Sequence, residues 1–226
     1  MKNTRLMLIR FENSIQQQEI EYFRGAVIHL IPSSEILFHN HLQDGFRFSY
    51  PLIQYKRIAN KAAIMCFNEG TESIGSLLAN HNHDIQIGDR IEKLEIAKVQ
   101  AFDYQIQIWE PMFRYHIRKW LPFNQKNFED YNRLESIAEK CLFLENILTG
   151  NLLSFAKGLH IFFDKQVVCK ILQLENSTLT TYKGIKMNQF DAVFSCNVSI
   201  PDFTGLGKGV SIGYGMVTKY KNNTKN

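Results

Sequence analysis

Phe203-Thr204-Gly205-Leu206-Gly207-Lys208-Gly209-Val210-Ser211-Ile212-Gly213-Tyr214-Gly215-Met216-Val217 holds five glycines in fifteen residues. Glycine lets the backbone take φ > 0 and lets another segment approach closely. Successive N–H groups in such a loop form a concave anion site, and Lys208 adds a full positive charge. Two readings follow: a phosphate-binding loop, or a glycine-rich turn between two strands. A nucleotide P-loop is excluded, because no G-x-x-x-x-G-K-[S/T] run is present. A dinucleotide fingerprint needs a helix after the glycines and an acid further on. Here an apolar, strand-like run and then polar residues follow instead.

Upstream of this loop, Ala192 to Ile200 and Gln166 to Leu174 alternate as strands do. Before them Leu134, Ile137, Cys141, Leu144, Leu148 and Leu152 recur at helical spacing, with Gly150-Asn151 where that helix could break in two. Phe113 to Trp120 is strand-like and interleaves Arg114, His116, Arg118 and Lys119. Residues two apart on a strand share a face, so Arg114, His116 and Arg118 form one basic strip. The glycine loop therefore stands where a second helix of this unit would otherwise be.

The first half reads in the same order. Leu6 to Phe11 is a strand, and Ser14-Ile15-Gln16-Gln17 fits a capping box. Ile20, Phe23, Val27 and Leu30 then follow at helical spacing up to Pro32. Phe46 to Lys56 and Lys61 to Phe67 read as strands joined near Ala59-Asn60, and Thr71 as the cap of a short helix. Ile85 to Ile96 and Val99 to Trp109 read as further strands. The order β-α-β-β-α-β is ferredoxin-like. The expectation is an α+β chain of two tandem ferredoxin-like, RRM-like domains with antiparallel sheets, 1–110 and 111–226. No direct sequence repeat relates the halves.

Composition agrees with a soluble, mildly basic protein. The net charge is +4, which suits nucleic acid without requiring it. Cys66, Cys141, Cys169 and Cys196 form no C-x-x-C and sit in apolar contexts, as reduced, buried thiols of a cytoplasmic protein do. No run approaches the ~18 apolar residues of a membrane span, and the N-terminal apolar run is too short for a signal peptide. The expectation is a cytoplasmic protein without membrane contact.

The glycine loop resembles the C-terminal signature of the CRISPR repeat-RNA processing endoribonucleases of the RAMP superfamily. There, a G-x-G, a short polar insert with a serine, and a second G-x-G precede a small apolar strand. Gly205-Leu206-Gly207, Lys208 to Ser211, and Gly213-Tyr214-Gly215-Met216-Val217 follow that order. A second likeness is Phe38-His39-Asn40-His41-Leu42-Gln43-Asp44-Gly45-Phe46-Arg47-Phe48-Ser49, a histidine about ten residues before an aromatic-x-aromatic-Ser strand. Gly150 to Gly158 is similar to a segment of one subgroup.

What the resemblance implies is a metal-independent enzyme of antiviral defence without cofactors. It binds CRISPR repeat RNA and cuts it by attack of a ribose 2′-OH on the neighbouring phosphorus, leaving a 2′,3′-cyclic phosphate. Its product would pass to a CRISPR effector complex. Histidine suits the proton transfers, since its ordinary pKa of about 6.5 lies near working pH. His39 is the first candidate, His41 the second and His29 the third. Many family members carry a tyrosine in the first helix, and here Ile28 or His29 stands there. The family's lysine after the histidine is also missing, so Arg47 and Lys56 are the candidates for charge beside the phosphate. Gly205, Gly207, Lys208, Ser211, Gly213 and Gly215, with Arg114, Arg118 and Lys119, are expected to hold the RNA backbone. The chain is compatible with a monomer or a homodimer.

Two other functions fit parts of the sequence. A non-catalytic CRISPR RNA-binding protein would use the same loop and basic strand. A metal-dependent hydrolase would use the pairs His39-x-His41 and His81-x-His83, a spacing that recurs at zinc sites. Against it, Asp44 falls one residue late for an H-x-H-x-D-H run, and no histidine follows it.

Overall fold

The computed structural model describes residues 3–31, 37, 41–42, 45–46, 50–79 and 84–221. The chain forms two compact units. The first holds the residues up to Gln105 together with Ser211–Gly213; the second holds Ile106–Val210 and the chain from Tyr214 onward.

In the first unit β1 (Thr4–Ser14) leads through a single 3₁₀ turn, Gln17–Glu19, into α1 (Ile20–His29). The entry is set two residues later than the expected cap. Ser14 ends β1 opposite Lys61, while the Glu19 carboxylate accepts the Gln16 N–H at 2.7 Å. α1 buries Ile20, Phe23, Ala26 and Val27, as the spacing of its apolar residues requires. The Phe23 ring meets Phe11 at 5.6 Å and Tyr55 at 5.8 Å, both edge-on. A two-residue pairing follows, β2 (His41–Leu42) with β3 (Gly45–Phe46).

The stretch expected as one strand from Phe46 to Lys56 is interrupted. β4 begins only at Ile53 and runs to Ile58. Pro51, which has no N–H to give a ladder, precedes it. β4 turns at Ala59 and Asn60, both with positive φ (49° and 67°), into β5 (Lys61–Phe67). Positive φ at both central residues matches the right-handed twist of a tight hairpin. α2 (Glu69–Ser73) and α3 (Gly75–Leu78) are single turns. Thr71 lies inside α2, its hydroxyl donating to the Asn68 carbonyl at 2.6 Å, and does not cap it. The stretch expected as one strand from Ile85 to Ile96 folds back at Gly88 (φ 61°) into β6 (Asp84–Ile87) and β7 (Arg90–Lys93). β8 (Ile96–Tyr104) completes the unit. Its main sheet runs β4-β5-β1-β8 with every neighbour antiparallel.

The second unit repeats that plan. β9 (Ile108–Trp120), α4 (Gln125–Arg133), α5 (Ile137–Gly158), β10 (Cys169–Tyr182), β11 (Ile185–Val198) and β12 (Met216–Lys219) give a sheet of order β10-β11-β9-β12, again antiparallel. Each unit places a helix after its first strand and a hairpin next to that strand, the ferredoxin-like arrangement. α5 starts on a capping box: the Ser136 hydroxyl accepts the Glu139 N–H, and the Glu139 carboxylate accepts the Ser136 N–H, both at 3.1 Å. α5 runs unbroken through Gly150, because Leu144, Leu148, Leu152 and Phe155 anchor its buried face. Glu145, also buried, ties α5 to β10 by accepting from the Lys170 ammonium (2.9 Å) and the Ile171 N–H (3.0 Å). β10 and β11 are longer than their apolar alternation indicated and meet at Lys183-Gly184, both at positive φ. Thr178, Thr180 and Thr181 supply β-branched but polar residues there. Between β11 and β12 there is no helix; the glycine loop takes that place. Cys66, Cys169 and Cys196 are buried free thiols, and Cys141 is half-buried.

Candidate functional site

The glycine loop is a folded object with its own bonding. Gly207, Gly209, Gly213 and Gly215 take φ of 91°, 66°, 86° and 62°, which side chains rarely tolerate. Each is also crowded. A Cβ on Gly215 would stand 1.8 Å from the Leu206 carbonyl oxygen, and one on Gly207 2.9 Å from the Leu121 carbonyl and the Trp120 indole. Several of the loop's N–H groups, expected to be free for an anion, have backbone acceptors instead. Leu206 donates to Gly215, Lys208 to Leu121, Tyr214 to Gly209 and Gly215 to Lys119, at 2.9 to 3.3 Å. The loop therefore offers RNA less backbone than its composition suggests. Gly205 is buried beside this ladder, in an isolated bridge with Met216.

Ser211 to Gly213 belong to the first unit. The Ser211 carbonyl accepts the Tyr55 N–H at 2.9 Å, and Ile212 forms a parallel bridge with Tyr55. A Cβ on Gly213 would meet Ile20 Cδ1 at 2.8 Å. This pairing has no local signal in the sequence, since its two partners stand far apart along the chain.

Lys208 is half-buried in the second unit, and burial lowers the pKa of its ammonium. It lines a cavity of about 520 Å³ together with residues of α4 and α5. Arg114 and Arg118 are exposed on β9, on the face opposite the buried Tyr115 and Ile117. His116, between them, bonds the Glu175 carboxylate at 2.6 Å. Lys119 does not continue the strip. It has φ 52°, and its N–H donates to the Asp191 carboxylate at 2.6 Å. Here two residues of β9 face one of β11, since Trp120 pairs with Phe190 and Ile117 with Ala192. This bulge turns Trp120 into the core, where its indole N–H donates to the Asn151 side chain at 2.9 Å.

The proton-transfer candidates are less completely placed. His39 and Arg47 lie outside the described residues, as do His81 and His83. The backbone of His41 pairs with Phe46 in the β2–β3 ladder. His29 is exposed at the end of α1, in a cavity of about 1050 Å³ whose lining includes Glu19, Glu21, Asp84 and Asp89. Four carboxylates make that cavity a poor seat for a phosphate. Lys56 has no exposed surface, and burial lowers its pKa from 10.5 to about 7. A side chain closed off from solvent is not available to an RNA phosphate. Among the described residues, no three of His, Cys, Asp and Glu gather as metal ligands would.

The comparisons join these two units under one description. A family model for the Cas6b N-terminal domain matches residues 2–105, and one for the Cas6b C-terminal domain matches residues 107–220. The chain belongs to the Cas6b family. Uncharacterized protein MJ0978 of Methanocaldococcus jannaschii is 35% identical over 124 residues, spanning 54% of this chain and 82% of that protein. A crystal structure of Cas6b superposes with TM-score 0.88 at 24% identity, covering 97% of this chain and all of the other. The crystal structure of the CRISPR RNA processing endoribonuclease Cas6b gives 0.74 at 23% identity, with the same coverage. At these identities the superpositions speak for the fold, a tandem ferredoxin-like chain of the Cas6b kind.

Proposed function

We propose that this chain is a cytoplasmic endoribonuclease that cuts CRISPR repeat RNA without a metal. The observation that carries the reading is the match of both halves, in order, to Cas6b domains. One of the solved relatives is described as a CRISPR RNA processing endoribonuclease. In the proposed reaction the ribose 2′-OH loses its proton and its oxygen attacks the adjacent phosphorus. The 5′-oxygen of the next nucleotide leaves with a proton, giving a 2′,3′-cyclic phosphate and a 5′-OH. No outside atom enters. His39 is assigned the proton transfer, with His41 as its partner or substitute. Histidine can take and give a proton near neutral pH, which the step needs twice. Arg47 is the preferred cation beside the phosphate, because Lys56 is enclosed and His29 stands among carboxylates. Arg114, Arg118 and Lys208 would hold backbone phosphates.

The test is cleavage of a labelled repeat RNA in EDTA by the wild type, His39→Ala, His41→Ala and Arg47→Ala. The expected result is cutting by the wild type, a cyclic phosphate end, and a loss on the order of a hundredfold or more with one histidine variant. Tight binding without cutting would make the chain a guide-RNA holder. Cutting only after zinc or manganese is restored would overturn the metal-free step and return the two H-x-H pairs to consideration.

A further inference from the structure

The cavity beside Lys208 has a lining that the phosphate-gripping role does not use. Its walls include Asn127, Phe143, Asn146, Gly150, Asn151 and Lys208. Among the described residues no acidic side chain lines it, in contrast to the carboxylate-rich cavity beside α1. Carboxamides carry both a donor and an acceptor, so they match the edge of a nucleobase. Asn151 spends its oxygen on the Trp120 indole, which fixes the side chain and leaves its NH₂ to donate. Phe143 is held in place by the rings of Tyr131 and Phe123, 6.3 and 6.5 Å away. A held aromatic ring is a platform on which an unpaired base can stack. The volume of about 520 Å³ lies within the ~300–1000 Å³ range of small-molecule sites.

Gly150 is the second observation. It lies inside α5 with helical backbone, and an added Cβ there would touch nothing within 4 Å. Neither φ nor packing asks for glycine, and alanine is the better helix former. What glycine does at this point is leave the wall of the cavity open, so that a ligand can approach the helix backbone.

We propose that this cavity takes one unpaired nucleotide of the RNA, its base against Phe143 and the asparagine carboxamides and its phosphate on Lys208. The inference rests on the RNA-binding reading above. It gives the second unit a point of single-strand recognition of its own.

The test measures binding of a labelled single-stranded repeat RNA, at one fixed salt concentration, by the wild type, Gly150→Ala and Asn146→Ala. Melting temperatures are recorded alongside, with amide spectra of the wild type titrated with the four nucleoside 5′-monophosphates. Asn146 is exposed, so its truncation is not expected to unfold the chain. The expected result is about tenfold weaker RNA binding by each variant. Gly150→Ala should melt no lower than the wild type, and the monophosphates should shift the amides of Gly150, Asn151 and Lys208. Variants that bind RNA as the wild type does would overturn the nucleotide site and leave the nuclease standing. A wild type that ignores the RNA would overturn both; monophosphate shifts in that case would mark a site for free nucleotides.

Discussion

Lys56 is the residue whose chemistry departs furthest from its ordinary behaviour. It sits in β4 with no exposed surface, and burial penalises its charged form. Its pKa falls from 10.5 to about 7 in the folded chain. The unfolded chain therefore binds more protons than the folded one between about pH 7 and 10.5. The contribution of this group to stability therefore rises with pH across that window, with a slope of up to ~1.4 kcal/mol per pH unit. Below pH 7 both states are protonated and the full penalty applies. Lys56→Met keeps the length of the side chain and removes the charge. Urea unfolding at pH 7 and at pH 8, short of the range in which the buried Cys66 thiol would titrate in the unfolded chain, should show the wild type gaining stability with pH and the variant gaining less. Equal changes in the urea midpoints of wild type and variant over that window would mean that Lys56 keeps its charge in the fold. The sequence indicated a lysine near the candidate site but not this environment, because burial depends on what covers a strand face.

At the scale of elements, the anchor of α5 is Glu145. Its carboxylate accepts from Lys170 and from the Ile171 N–H, joining the helix to the edge strand of its sheet. Removing it in Glu145→Ala would leave a backbone donor and an ammonium without their partner. Bonds to a charged group contribute ~1.5–3 kcal/mol each, so a loss of about 2–3 kcal/mol is expected in urea unfolding. Glu145→Gln keeps one neutral acceptor and should lose less; equal losses would mean that the negative charge, not the acceptor, sets the cost. The helix itself was legible, since Leu144, Leu148 and Leu152 repeat at its spacing. Its continuity through Gly150 was not, because a glycine breaks a helix only where packing does not hold both sides. The glycine loop was legible as a loop and as a missing helix. Which of its N–H groups remain for RNA was not legible, since their acceptors Leu121 and Lys119 stand far back along the chain. Folding over at Gly88 likewise depended on one residue taking φ > 0, which alternating apolar residues do not reveal.

At the scale of the molecule, the same sheet order occurs twice without a visible repeat in sequence. The order needs only apolar alternation, a helix after the first strand and a turn in the hairpin, and many residues satisfy each. The histidine loop is the opposite case: its reading came from resemblance, and His39 and Arg47 are still assigned on that ground. The plan is broken at one place, where Ser211–Gly213 belong to the first unit although the sequence around them belongs to the second. If this short segment stabilises the first unit, displacing it should loosen β4 selectively. Gly213→Val provides the displacement, because Gly213 has φ 86° and a Cβ there would meet Ile20. Hydrogen exchange on the whole chain reads the result. The Tyr55 amide, which donates to Ser211, should exchange at least tenfold faster in the variant. Amides of β11 between Phe190 and Cys196, in the second sheet, should keep their protection. Unchanged protection at Tyr55 would mean that the Ser211 carbonyl contributes nothing to holding β4. Protection lost in both sheets would mean that the two units unfold as one.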